Sequence, residues 1–513
     1  MTKPYQDQKI LQETIFDLQN DCRELRYLIL DATSKIRTYL RGTHKIKKYL
    51  QSDTVTTIQA EADYLLGMYA GLDADIWNLQ TRLKREDTWQ DTVKHANTVI
   101  GQTREILRTN QTILGSFITG VDWQSPSITH SLCSQAGVQE GSIYATVNDY
   151  KRDQHWNAFA YEEAFKSNLI DGLIKIPIHA YATASGMAAF TTILSYLSYE
   201  GKLNGTVIIG KSLYFECKAL ITKIPGISVV EVDETDTGAV IQAIGLHKPS
   251  ALFFDSLANM PSVAVADLTT LLTHLISHSQ RDTVLVIDNT CQSVHFQPFP
   301  KLFGTRSKLS LIMFESLNKY HQYGMDKVTG GIIWTYGGDT GKLFEYRDHL
   351  GTNIPDASVA AMPTPNRVLL TKKLHRHGRN AQILADTLSN YLSANPKTHI
   401  RGVVYPGLPS HPSYAWTKDS SFNGSYLTLE FAQKYQTIHS YNRFVARVLA
   451  IAKSKNINII SGTSFGLNTT RVYVTAVRSK PTTPFVRISA GSEDRGVIEF
   501  IAGVLVQAIS DFR

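Results

Sequence analysis

Between Pro4 and Pro126 the chain contains no proline. That absence removes the strongest helix breaker from the first part of the molecule and leaves room for long helices. Cysteine is scarce: Cys22, Cys133, Cys217 and Cys291 are scattered, with no CxxC pair. Such spacing argues against a disulfide framework or a zinc site, so no metal is expected, and it fits a reducing cytoplasm. No apolar run is long enough to span a bilayer, and the N-terminal residues lack the apolar stretch of a signal peptide, so no membrane association is expected. Charge is nearly balanced, with 52 Lys and Arg against 45 Asp and Glu, a formal +7. That excess is too small to suggest nucleic-acid binding.

With 513 residues the chain exceeds one ordinary domain. Three segments are expected. In residues 1–125, Leu11, Ile15, Leu18, Cys22, Leu25 and Ile29 step by fours and threes, the apolar stripe of an amphipathic helix. This segment carries no chemical constellation, so it is expected to be a helical bundle serving as scaffold, oligomerisation or docking element. In residues 126–360 short β-branched runs alternate with helical patterns. The runs are 206–209, 228–232, 251–254, 284–287, 309–314 and 331–334. That alternation predicts an α/β fold with a mostly parallel sheet covered on both faces. Residues 361–513 open with a long helical stretch and continue as a smaller α+β unit, with strands expected at 426–431, 471–477 and 485–489.

The chemistry-bearing residues lie in the middle segment. The apolar strand Val284-Leu285-Val286-Ile287 ends in Asp288, and Ser316-Leu317-Asn318-Lys319-Tyr320 follows downstream. An acid at the end of an all-apolar strand needs a cationic partner to stay ionised. Further motifs surround this pair. Tyr150-Lys151-Arg152 precedes Ala184-Ser185-Gly186-Met187-Ala188-Ala189, whose small residues open a helix. A Ser-capped helix explains the start of that stretch but not the Gly-Met-Ala-Ala string. Tyr214 follows the strand at 206–209, and Asp255 to Pro261 contains Asn259. Val404 to Pro412, Ser461 to Gly466 and Phe485 to Asp494 complete the series.

From about residue 145 to the C-terminus these motifs resemble, in order, those of the Cys/Met-metabolism enzymes that use pyridoxal phosphate (PLP). That family includes cystathionine γ-synthase, the cystathionine lyases and methionine γ-lyase. The resemblance implies fold type I, the aspartate-aminotransferase-like fold, with PLP as cofactor and an amino acid as substrate. It implies that Lys319 holds the cofactor covalently and serves as catalytic base. Asp288 would pair with the ring nitrogen, Tyr214 would stack on the ring and move a proton, and Asn259 would bond the 3′ oxygen. Ser185, Gly186, Met187, Ser316 and Asn318 would surround the phosphate. Tyr150 and Arg152 would reach the phosphate of a neighbouring subunit, which implies a homodimer or homotetramer with shared sites. Arg487 would clamp the substrate carboxylate, with Ser464 lying over the substrate. The alternative for Arg487 is a structural pair with Glu493.

The resemblance implies elimination or replacement at Cγ of the substrate. Alternatives are a β-lyase on a cystathionine-like thioether and a catalytically degenerate relative acting as a binding module. Phe215-Glu216, Met325 and Leu467 to Tyr473 depart from the family pattern. These departures are expected in the pocket wall, with Arg471 and Tyr473 as specificity candidates.

Overall fold

The computed structural model describes residues 4–46, 52–85, 89–120, 156–171, 176–279, 282–305, 307–476 and 483–512. The proline-free region forms three long helices: α1 (Gln8–Ile46), α2 (Ser52–Arg82) and α3 (Trp89–Gly120). The stripe from Leu11 to Ile29 is buried, as its spacing requires, and packs against Leu65, Ile76, Ile100 and Leu107 of the other two helices.

A seven-stranded sheet lies in the middle of the molecule. Its strands are β1 (His179–Thr183), β2 (Gly205–Gly210), β3 (Ile227–Val232), β4 (Ala251–Asp255), β5 (Thr283–Asp288), β6 (Leu309–Ser316) and β7 (Gly331–Tyr336). They lie in the order β1-β7-β6-β5-β4-β2-β3. Strands β3, β2, β4, β5 and β6 pair in parallel, while β7 runs against both β6 and β1. The reversal follows from the β6–β7 connection, whose only helical piece is one 3-10 turn at Tyr320–Gln322. A parallel return needs a full crossover, usually a helix. Successive residues of the inner strands face opposite cores: Leu285 and Ile287 pack on one side, Val284 and Val286 on the other. This double burial accounts for the continuous apolar runs of the sequence.

The second sheet is antiparallel, in the order β10-β11-β9-β8, with β8 (Ile400–Val404), β9 (Tyr426–Phe431), β10 (Arg471–Thr475) and β11 (Phe485–Ser489). Neither β1 nor β8 is expected from the sequence. The β1 residues, His-Ala-Tyr-Ala-Thr, alternate weakly, and β8 carries an irregular register between Ile400 and Gly402.

Three further helices place the site: α4 (Gly186–Tyr199), α5 (Arg367–Ala394) and α6 (Arg495–Asp511). Helix α1 docks on α5 through a ladder of buried charge. Asp17, Asp21 and Glu24 share one face of α1, and Lys373, Arg376 and Arg379 share one face of α5. Arg379 meets Asp17 at 2.7 and 3.0 Å, and Lys373 meets Glu24 at 2.9 Å. Arg104 of α3 adds a bond to Asp21 at 2.5 Å. Burial raises the pKa of Asp21, but Arg104, Arg376 and Lys373 outweigh it and hold the carboxyl below its usual range.

Candidate active site

The carboxyl ends of β4, β5 and β6 deliver Asp255, Asp288 and Ser316 side by side, where open α/β sheets commonly bind ligands. A cavity of about 240 Å3 opens there. Ser185, Gly186, Met187, Tyr214, Asn259, Asp288, Ser316, Lys319, Ser464 and Arg487 all line it. Residues as far apart in sequence as Ser185 and Arg487 thus meet at one site.

Lys319 is set by both sheets. It follows β6, and its Nζ donates to Ser464 Oγ at 2.9 Å from the loop before β10. Burial, and next the nearby Arg487, push the pKa of the Lys319 amine below its ordinary value. The amine lies 5.4 Å from the centroid of the Phe465 ring. Asp288 accepts from Thr290 N at 2.9 Å, and burial lifts its pKa to about 6, with Glu315 adding to the rise. Burial and then the neighbouring Asp288 push the Asp255 pKa well above its ordinary value. Arg487 is 3% exposed. Its Nη1 donates to Asn259 Oδ1 at 2.5 Å and its Nη2 to Ser464 O at 2.9 Å. No pairing with Glu493 occurs; that carboxylate accepts from Thr470 N instead.

Helix α4 begins at the cavity. Ser185 caps it, accepting from Ala188 N at 3.0 Å. A Cβ on Gly186 would come within 2.8 Å of Ser316 Cβ, and one on Gly331 would strike Ser185 O. Both glycines let the helix start lie directly against the sheet.

Several residues expected at the site are not among those lining the cavity. Asn318 is not among the residues lining the cavity; its Oδ1 accepts from Gly330 N at 3.0 Å and closes the loop. Met325 is not in the pocket wall. It lies with Tyr323 in the core shared with α1–α3. Phe215, Glu216 and the stretch Leu467 to Tyr473 are likewise absent from the lining. Arg471 donates from Nη1 to Thr463 O at 2.8 Å without being among the lining residues, and Tyr473 is paired in register with Arg487. Tyr150 and Arg152 lie outside the described residues.

The cavity also contains residues not singled out in the sequence: Thr290, Cys291, Phe314, Thr463 and Phe465. Thr290 accepts from Ser316 N through its hydroxyl, joining β5 to β6. Its place two residues after Asp288 is the one available signal. Behind the cavity, buried Glu315 accepts from Asn289 Nδ2 at 3.0 Å and Ser293 Oγ at 3.1 Å and meets His321 Nε2 at 2.6 Å.

A sequence profile described as Cys/Met metabolism PLP-dependent enzyme matches residues 124–498. The chain belongs to that family. Among similar proteins, the bifunctional enzyme flvA of Aspergillus flavus is 24% identical over 64% of this chain and 39% of its own length. Methionine gamma-lyase of Arabidopsis thaliana is 28% identical over 46% of this chain and 50% of its own. The chain therefore spans half or less of these two relatives. Crystalline cystathionine gamma-lyase from Lactobacillus plantarum, complexed with L-serine, shares the fold at a TM-score of 0.56 and 19% identity, covering 75% of this chain and 93% of that one.

PLP is the family's cofactor, and the cavity fits it. Asp255 Oδ1 and Arg487 Nε are buried without hydrogen-bond partners among the described residues, which leaves polar capacity for a ligand. An acidic end at Asp288, an amine at Lys319 and the open amides of α4 match the three polar parts of PLP: ring nitrogen, aldehyde and phosphate.

Proposed function

We propose that the protein eliminates or replaces a substituent at Cγ of an amino acid, with PLP as cofactor. The observation that carries this reading is the convergence of Lys319, Asp288 and Arg487 on one cavity at the strand ends. The Arabidopsis relative, a methionine gamma-lyase by name, supports the γ position.

PLP, when bound, supplies an electron sink that acidifies the C–H bond beside the substrate amine. The chain's own residues then divide the remaining work. Asp288 presents its carboxylate to the ring nitrogen. Ser185, Gly186, Met187 and Ser316 hold the phosphate, and Tyr150 and Arg152 of a neighbouring subunit complete its cradle. Arg487 binds the substrate carboxylate through its planar fork, aligned by Asn259 and by Ser464 O. Lys319 Nζ would take the proton from Cα, release it to the cofactor's aldehyde carbon, and only then be neutral again to take one from Cβ; its depressed pKa favours the neutral amine that each uptake needs. Ser464 Oγ orients that amine. Tyr214, whose pKa burial raises, keeps its phenolic proton and can donate it to the departing group.

The same reading includes a homodimer or homotetramer with shared sites and a cytoplasmic setting. No described helix is long and apolar enough to cross a membrane, and Cys22, Cys217 and Cys291 are free thiols. It also includes three units, at 1–125, 126–360 and 361–513, supported by separate apolar cores for the helical bundle and the second sheet.

Product analysis tests the chemistry. Incubation with amino acids carrying a leaving group at Cγ should give a four-carbon keto acid or, with an added nucleophile, a replacement product. Pyruvate from Cβ-substituted amino acids, with no γ turnover, would move the assignment to a β-lyase.

A further inference from the structure

Two loops carry the contact between Lys319 and Ser464, and both contain non-glycine residues in left-handed backbone. In the first, Tyr323 has φ 52° and Asp326 φ 48°; in the second, Ser464 has φ 77°. Such residues are strained and persist only where their surroundings enforce them.

Asn468 joins the two loops. Its Nδ2 donates to Tyr323 O at 3.2 Å, and its Oδ1 accepts from Ser492 Oγ at 2.9 Å. The same Oδ1 accepts from Lys373 Nζ at 2.5 Å. Gly324 packs directly on the Asn468 amide, leaving no room for a side chain there. Lys373, 3% exposed, also donates to Glu24 of α1 at 2.9 Å. Arg108 of α3 donates to Met325 O at 3.1 Å, and the Tyr27 ring of α1 meets the Tyr323 ring edge-on at 6.3 Å. A continuous polar path therefore runs from Glu24 through Lys373 and Asn468 to the loop that carries Lys319. Neither Lys373 nor Asn468 lines the cavity.

We propose that Lys373 and Asn468 are positioning residues that tie the helical N-terminal region to both loops and so set Lys319 against Ser464. The catalytic consequence rests on the role assigned to Lys319 above; the mechanical tie does not. Met325 and Leu467-Asn468, which depart from the family pattern, lie along this tie rather than along the substrate's path.

Hydrogen exchange in the full-length, cofactor-free protein tests the tie directly. Asn468→Ala leaves the Glu24–Lys373 pair intact. The double variant Glu24→Gln with Lys373→Met avoids stranding a buried charge. In both, amides in 316–326 and 461–470 should exchange at least tenfold faster, while those in α1 and α3 keep their wild-type rates in Asn468→Ala. In the PLP-loaded protein, the pH midpoint of the Lys319-dependent visible band should move in Asn468→Ala. Unchanged loop exchange, a rise spread evenly over the whole chain, or an unmoved midpoint would overturn the proposal. Faster loop exchange in a protein that takes up no PLP would leave the tie standing and remove the role of Lys319 instead.

Discussion

Arg376 grips Asp21 through both arms of its guanidinium, at 2.7 and 3.2 Å, across 355 residues of sequence. Both side chains are nearly inaccessible, so the pair is costly to break from one side. Arg376→Met should lower the unfolding free energy by about 3–5 kcal/mol. Adding Asp21→Asn should cost more still, because Arg104, which bonds Asp21 at 2.5 Å, then loses its carboxylate partner too. Urea denaturation of the two variants beside wild type checks both statements.

The α1–α5 ladder illustrates what sequence can and cannot disclose. The stripe from Leu11 to Ile29 announces a helix with a buried face, and it forms one. The acids at 17, 21 and 24 and the bases at 373, 376 and 379 each fall on one helix face too. Yet nothing local says that these faces meet, since helix periodicity does not encode long-range pairing. The site was legible where local chemistry is specific: Lys319, Asp288, Ser185, Gly186 and Arg487 all line one cavity. It was illegible where tertiary packing decides. Met325 and Asn468 stand in segments that depart from the family pattern, and only the docked helices explain where they point. The reversed β7 belongs to the same class, since strand direction follows from the connection and not from the strand's residues.

Gly331 should tolerate no side chain. Any Cβ there meets the Ser185 carbonyl, which is backbone and cannot rotate away. Gly331→Ala should cost about 1–3 kcal/mol of stability through overpacking and displace the start of α4. Its PLP affinity should fall with its melting temperature. Thermal unfolding with and without PLP separates the two effects.

Cofactor binding should depend on pH through Asp288. Its carboxyl titrates at about 6 in the cofactor-free site, raised mainly by burial. Only the ionised form attracts a protonated ring nitrogen, and the ionised fraction grows as pH rises through that value. PLP affinity should therefore weaken as pH drops below about 6. Asp288→Asn should bind at least tenfold more weakly at neutral pH and lose this dependence. Titration of cofactor-free protein followed by absorbance provides the check.

Removing the Ser464 hydroxyl should mis-set the Lys319 amine without emptying the site. The hydrogen bond at 2.9 Å contributes roughly 1 kcal/mol, so Ser464→Ala should lower kcat about five- to tenfold. KM should change less, because Arg487 keeps its bond to the Ser464 carbonyl. Steady-state kinetics with the preferred substrate resolves the split.

The visible absorption spectrum of the purified protein with PLP, recorded beside Lys319→Ala, tests the assignment of this cavity most directly. A band that requires Lys319 and shifts on adding one amino acid is the expected result. An identical spectrum in wild type and Lys319→Ala, or no band after adding PLP, would contradict the assignment and leave the chain a binding module built on an enzyme fold.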